Sequence, residues 1–235
     1  GKLEINNSAI NLTDASSYIF ADNIAIAGSK IELANNSSIG ADGSLLVSNS
    51  QILKSEDAED TELYSPNIKI TENSIVDVSR IGTSITPPVF IKSLVIDDSE
   101  VNVEMMYLCE SIGIKDSEVK VKGGMDALLD ETIYVFPILT NYMKIDNSKV
   151  EIIVTLPSSI TGEQLQYVSY NSILNVDFTN FTVGPIAPDF TDDYVVYAGN
   201  DAASATEADA SNVYTYATKY VRIEPKQPQH PVSPK

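Results

Sequence analysis

Ile112-Gly113-Ile114-Lys115-Asp116-Ser117-Glu118-Val119-Lys120-Val121 is the stretch on which the fold reading turns. Apolar residues alternate on both sides of its Asp-Ser pair, Ile112 and Ile114 before it, Val119 and Val121 after it. Alternation at period two is strand periodicity. The step from Ile114 to Val119 is five residues. In one continuous strand an odd step would turn the two halves to opposite faces. Both pairs can face a common core only if the chain bends at Asp116-Ser117. Asp and Asn suit such a bend, because they tolerate left-handed backbone angles and their side chains bond nearby amides.

The pattern recurs. Clean copies run from Leu94 to Val103 and from Met143 to Ile152, and good ones from Leu3 to Leu12 and from Ile24 to Leu33. Looser copies run from Leu45 to Leu53 and from Ile68 to Val78. Gly28 fills the Asp/Asn slot of the second copy, the expected substitute where positive φ is needed. The repeat serines are Ser8, Ser29, Ser50, Ser74, Ser99, Ser117 and Ser148, spaced by 18 to 31 residues. A period near 20–25 with variable insertions suits a solenoid. One coil cannot bury its own apolar face, whereas coils stacked ~4.8 Å apart give every strand a parallel partner and a continuous core. The expected fold is therefore all-β: a right-handed parallel β-helix (β-solenoid) of about seven or more irregular coils with a C-terminal strand-rich cap. An antiparallel sandwich or barrel would explain the alternation but not the bend at one phase of a repeat. A leucine-rich repeat would need a helical half in each coil.

This reading divides the chain into coils over 1–152, last irregular coils and a cap over 153–224, and a Pro-rich linker or tail over 225–235. Four interruptions are expected to emerge as loops, Lys54 to Pro66, Gly82 to Pro88, Glu104 to Ser111 and Gly123 to Tyr142. The last holds a candidate helical turn from Met125 to Glu131. Beyond Thr155 the pattern fades into strand-like pieces such as Ser172 to Phe178 and Asn180 to Val183. The terminal element reads as a strand (Tyr194 to Ala198), an Ala-rich turn or short helix (Asn200 to Ala210) and strand material (Val213 to Ile223).

Hydrophobic residues make up 43% of the chain, enough for a sizeable core. A net charge of -18 repels phosphate backbones and anionic membranes, so neither nucleic acid nor membrane insertion is expected. No apolar run approaches the ~20 residues of a membrane span. Cys109, the sole cysteine, lies in an apolar stretch and reads as a small buried hydrophobe.

No catalytic residue is assigned. The single histidine, His230, lies in the Pro-rich tail, which removes His-based nucleophile schemes. The arginines are Arg80 and Arg222. The carboxylate pairs Asp97-Asp98, Asp130-Glu131 and Asp192-Asp193 are adjacent in sequence, and neighbours on a strand point to opposite faces. No metal ligand set and no cofactor are assigned. Calcium is the ion that the acidic stretch Glu56, Asp57, Glu59, Asp60, Glu62 would suit, and a solvated acidic loop is the simpler reading. There is no Trp, but Tyr is frequent from Tyr134 onward: Tyr142, Tyr167, Tyr170, Tyr194, Tyr197, Tyr214, Tyr216 and Tyr220. These offer stacking faces for sugars, or simply pack the end of the solenoid. No binding residue is singled out, and the Gly123 to Tyr142 insertion is the first surface to probe.

Tyr194-Val195-Val196-Tyr197-Ala198-Gly199-Asn200-Asp201-Ala202-Ala203-Ser204-Ala205, followed by Lys219-Tyr220-Val221-Arg222-Ile223-Glu224, resembles a terminal element of exported Gram-positive bacterial proteins. In those a Gly-x-(Asp/Ser)-x-x-x-Ala turn precedes a Lys-Tyr-Val-x-Ile-like strand, and the module often follows an irregular parallel β-helix. The resemblance implies export and a modular, cell-surface parent, and some members are described as carbohydrate-binding. It transfers no catalytic residue. The expected function is a non-catalytic structural or adhesive module, secreted or attached to the cell wall and monomeric within a larger chain, that presents loops to a glycan or a host or partner protein. The alternative is a polysaccharide-active β-helix enzyme, a lyase or glycoside hydrolase.

Overall fold

The computed structural model describes residues 1–82, 90–177, 182–190, 193–209 and 217–226. The chain is all-β, with a large mixed, mostly parallel sheet of twenty strands and a small sheet of three.

Three in-register parallel ladders run through the large sheet. In the first, Leu3, Ile24, Leu45, Ile68, Leu94, Ile112 and Met143 pair in succession, and Ile5, Ile26, Val47, Ile70, Ile96, Ile114 and Ile145 form the parallel column two residues on. In the second, Ile10, Ile31, Ile52, Val76, Val101, Val119 and Val150 do the same. In the third, Ile19, Ile39, Leu63, Ile81, Met106, Ile138 and Ile173 are stacked. The repeat supplied the first two ladders. The third comes from segments between the copies. The inward columns of all three meet in one core cluster, in which Ile26, Ile31, Ile39 and Ile70 have no exposed surface. Each such side chain stabilises the fold by roughly 1.5–3 kcal/mol relative to exposure.

The bends sit where the repeat places them. Asn7, Gly28, Asn49, Asn73, Asp98, Asp116 and Asn147, each directly before a repeat serine, have φ between 42° and 58°. Only residues that tolerate the left-handed region occupy this slot. The serines that follow join one turn to the next. The Ser8 amide donates to Ser29 Oγ at 3.1 Å, Ser29 to Ser50 at 3.1 Å, and Ser50 to Ser74 at 3.3 Å. Ser99 donates to Ser117 at 3.1 Å and Ser117 to Ser148 at 3.0 Å. At the end of the column the Ser148 amide donates to Tyr194 Oη at 3.2 Å, so a tyrosine hydroxyl stands where the next serine would be.

The second ladder ends in antiparallel strands. Tyr220–Pro225 lies antiparallel on Lys149–Val154, and Tyr194–Gly199 lies antiparallel on Tyr220–Pro225. Together they cover an edge that would otherwise leave a row of amides and carbonyls bare.

Several local expectations are corrected. Met125 to Glu131 is not a helical turn. Met125–Leu129 pairs antiparallel with Thr132–Phe136, and Asp130 and Glu131 reverse the chain with φ of 46° and 67°. Positive φ at both central residues is what a tight hairpin requires. Val168–Tyr170 adds a third strand beside this hairpin. Glu104 to Ser111 is not an emerging loop but the interior of the strand Ser99–Lys115, which carries a register shift between Met106 and Cys109. Lys54 to Pro66 contributes the third-ladder strand Glu62–Tyr64. A 3-10 helix, Gly162–Tyr167, was not foreseen. The Ala-rich segment holds a short strand, Thr206–Ala208, while Ala210 lies outside the described residues. So do most of the expected loop from Gly82 to Pro88, part of the strand expected from Val213, and the tail beyond Lys226 with His230.

Candidate functional site

The repeat leaves its outward positions free to vary, and the residue three after each repeat serine forms a column on the outer face of the second ladder. Asn11, Glu32, Leu53, Asp77, Asn102, Lys120 and Glu151 pair in succession, with Arg222 across from Glu151. Because the strands are in register, residues dozens of positions apart in sequence stand side by side. A shallow groove of about 520 Å³ runs over this face, and Lys54, Asp77, Asn102, Glu104, Lys120 and Lys122 are among its walls.

Gly123 and Gly124 close one end of the groove because the backbones come together there. A Cβ on Gly123 would lie 2.1 Å from the Glu104 carbonyl oxygen, and one on Gly124 would lie 1.8 Å from that of Thr155. Side chains at either position would force the strands apart.

Most charges in and beside the groove are matched. Lys54 Nζ stands 2.8 Å from a Glu104 carboxylate oxygen and Lys120 Nζ 3.1 Å from Glu151. Tyr220 Oη donates to Glu151 at 2.9 Å. Burial works against the Glu151 charge, but the bonds from Lys120 and Tyr220 outweigh it and hold its carboxyl below the usual range. On the neighbouring outward column Lys149 Nζ lies 2.9 Å from Glu118. Asp77 differs. Burial lifts its carboxyl above the usual carboxylate range, Lys54 opposes this, and Glu104 and Glu100 add to the lift. Acid–base hydrolysis of a glycoside uses two carboxyl groups facing each other across the bond. Glu104, a groove wall close enough to raise Asp77, is engaged by Lys54, and Glu151 by Lys120. The arrangement presents closely set donors and acceptors that can bond a polar ligand.

The residues weighed from sequence fall elsewhere. In the acidic stretch Glu62 is 6% exposed and forms an ion pair with Arg80, which also approaches Asp60 at 3.6 Å. Among the described residues no three His, Cys, Asp or Glu side chains converge as a metal site. Asp98 is a corner residue bonded by Asn73 at 3.3 Å, Asp130 and Glu131 form a hairpin turn, and Asp192 lies outside the described residues. Cys109 is buried, and burial pushes its thiol up to about 12. The later tyrosines mostly serve packing and closure. Tyr194 and Tyr220 are buried, the Tyr194 ring stacks on Phe190 at 4.8 Å, and Tyr170 and Tyr197 carry Lys219 and Arg222 over their faces. Tyr142 and Tyr167 are exposed, and Tyr142 Oη donates to Asp189 at 2.9 Å. Tyr214 and Tyr216 lie outside the described residues. The groove was missed because its residues are scattered in sequence. Aligning the copies on their serines and reading three positions on would have lined them up.

The chain matches no family model, no curated protein and no solved structure.

Proposed function

We propose that this chain is a right-handed parallel β-helix that serves as a non-catalytic structural or adhesive module of an exported bacterial surface protein, offering its flanks to a glycan or a partner protein. The observation that carries the proposal is the in-register stacking of seven repeat turns in three ladders. Such stacking makes a stiff scaffold whose outward columns form continuous surfaces. Right-handedness follows from the strong preference of parallel crossover connections. The resemblance of the segments Tyr194 to Ala205 and Lys219 to Glu224 to terminal elements of exported Gram-positive proteins supports the surface location.

A polysaccharide-active enzyme is the second reading, and Asp77, with its raised carboxyl in the groove, is the observation in its favour. A glycan array combined with a depolymerisation assay on neutral and acidic polysaccharides separates the two. The expected result is retention without release of reducing or unsaturated ends. Turnover that disappears in Asp77→Asn would overturn the non-catalytic reading.

A further inference from the structure

The third ladder carries aromatic side chains and glycines at alternate levels of one outward column. Phe20 pairs with Gly40 and Gly40 with Tyr64, and Gly82 follows beside Tyr64, its amide donating to the Leu63 carbonyl at 2.9 Å. A Cβ on Gly40 would lie 2.1 Å from Tyr64 Cζ, so the Tyr64 ring lies down across the bare backbone of the neighbouring turn. Tilting over Gly40 brings it within 6.4 Å of the Phe20 ring, centre to centre, with 31° between the planes. Phe20 is 46% exposed and Tyr18, on the adjacent outward column, is 74% exposed. These are large apolar faces left in water where the same strands had room for polar residues.

The surroundings of the rings are polar. The Tyr64 hydroxyl meets that of Ser38, with the Asp42 and Glu62 carboxylates nearby. The column beside the rings continues from Tyr18 through Ser38 and Glu62 to Arg80. We propose that Tyr18, Phe20 and Tyr64 form a binding platform for a neutral saccharide chain. This rests on the reading of the chain as a binding module and names the surface and ligand class.

Three features select that occupant. A pyranose ring has an apolar face of C–H bonds, which suits the electron-rich face of an aromatic ring, and an edge of hydroxyls, which suits carboxylate and hydroxyl acceptors. The aromatic patch is three side chains spread over two adjacent columns and bordered by polar side chains, whereas a protein partner ordinarily needs about 800 Å² on each side. The net charge of -18 disfavours uronate-rich polysaccharides and leaves neutral ones.

The test is affinity gel electrophoresis of the full chain in gels containing barley β-glucan, xyloglucan or galactomannan, with polygalacturonate as the acidic comparison. The expected result is retardation by at least one neutral polysaccharide. It should weaken at least tenfold in Phe20→Ala and in Tyr64→Ala, persist in Tyr64→Phe, and be unchanged in Lys69→Ala. Gly40→Ala, which keeps both rings but unseats Tyr64, should also weaken it. Circular dichroism of each variant separates lost binding from lost fold. Retardation by polygalacturonate alone, or by none of the neutral polysaccharides, overturns the platform. So does retardation that survives Phe20→Ala and Tyr64→Ala but is lost in Lys120→Ala. That last outcome moves the site to the polar groove and leaves the binding-module reading standing, whereas depolymerisation of the polysaccharide would remove that reading itself.

Discussion

The Ser117 hydroxyl accepts from the Ser99 amide on one side and donates to the Lys115 carbonyl within its own corner, and the residue is 8% exposed. Ser117→Ala therefore leaves the Ser99 amide without its acceptor, while the Lys115 carbonyl still accepts from the Asp98 amide at 3.0 Å. Its expected effect is a loss of about 1–3 kcal/mol in denaturant unfolding, while Ser8→Ala, at the more exposed first turn, should fall well below that. Tyr194→Phe removes the acceptor of the Ser148 amide and should sit in the same range as Ser117→Ala. Asp77 has the opposite sign. Its folded carboxyl binds a proton more tightly than the unfolded one, so its charge disfavours folding above the raised value and this penalty fades as pH falls through it. Asp77→Asn should raise Tm at neutral pH, with the gain shrinking on acidification, as followed by thermal melts across pH. Glu151 runs the other way, because its lowered carboxyl gives stability that is lost as pH falls through the lowered value.

At the scale of the element, the corner controls the strands on either side of it. Gly28 has φ of 58°, and a Cβ there would lie 2.6 Å from Asn7 Oδ1. Asp116, with φ of 48°, tolerates the same backbone, and Asn147 donates to its carboxylate at 2.7 Å. Asp116→Val should lower stability by roughly 1–2 kcal/mol through the left-handed conformation alone, whereas Asp116→Gly should be much milder. Chemical denaturation of the two variants side by side checks this. The corners were legible in the sequence because an odd step between apolar pairs and an Asn/Asp-Ser dipeptide both mark them. The third ladder was not, because most of its segments run on within longer strands and lack a shared dipeptide: Glu62–Tyr64 hides in an acidic stretch, and Met105-Met106 lies mid-way along Ser99–Lys115. The Met125 hairpin was misread because Leu128 and Leu129 interrupt the alternation, and only the backbone angles of Asp130 and Glu131 reveal the reversal. The polar groove and the aromatic patch are products of register between distant segments, so single-segment patterns could not display them.

At the scale of the molecule, each ladder strand is held by its neighbours, and on the proposed β-helix reading stability should be graded along the ladders. Ile70, without exposed surface and paired on both sides, should lose about 2–5 kcal/mol when changed to Ala, and Leu3, only partly buried in the first turn, distinctly less. Among the ladder strands, hydrogen exchange should be slowest around Ile70, Ile96 and Ile114 and fastest in Lys2–Asn6; equal protection of all ladder strands would contradict nearest-neighbour support. From the Ser99 corner to the Ser117 corner the chain advances 18 residues, and from there to Ser148 it advances 31, yet Val101, Val119 and Val150 remain directly opposite one another. The surplus leaves sideways as the hairpin that reverses at Asp130 and Glu131. Chain length between corners and ladder register are thus uncoupled, which makes the molecule a natural chassis: a foreign epitope spliced in at that tip would be displayed without retuning the ladders beneath it.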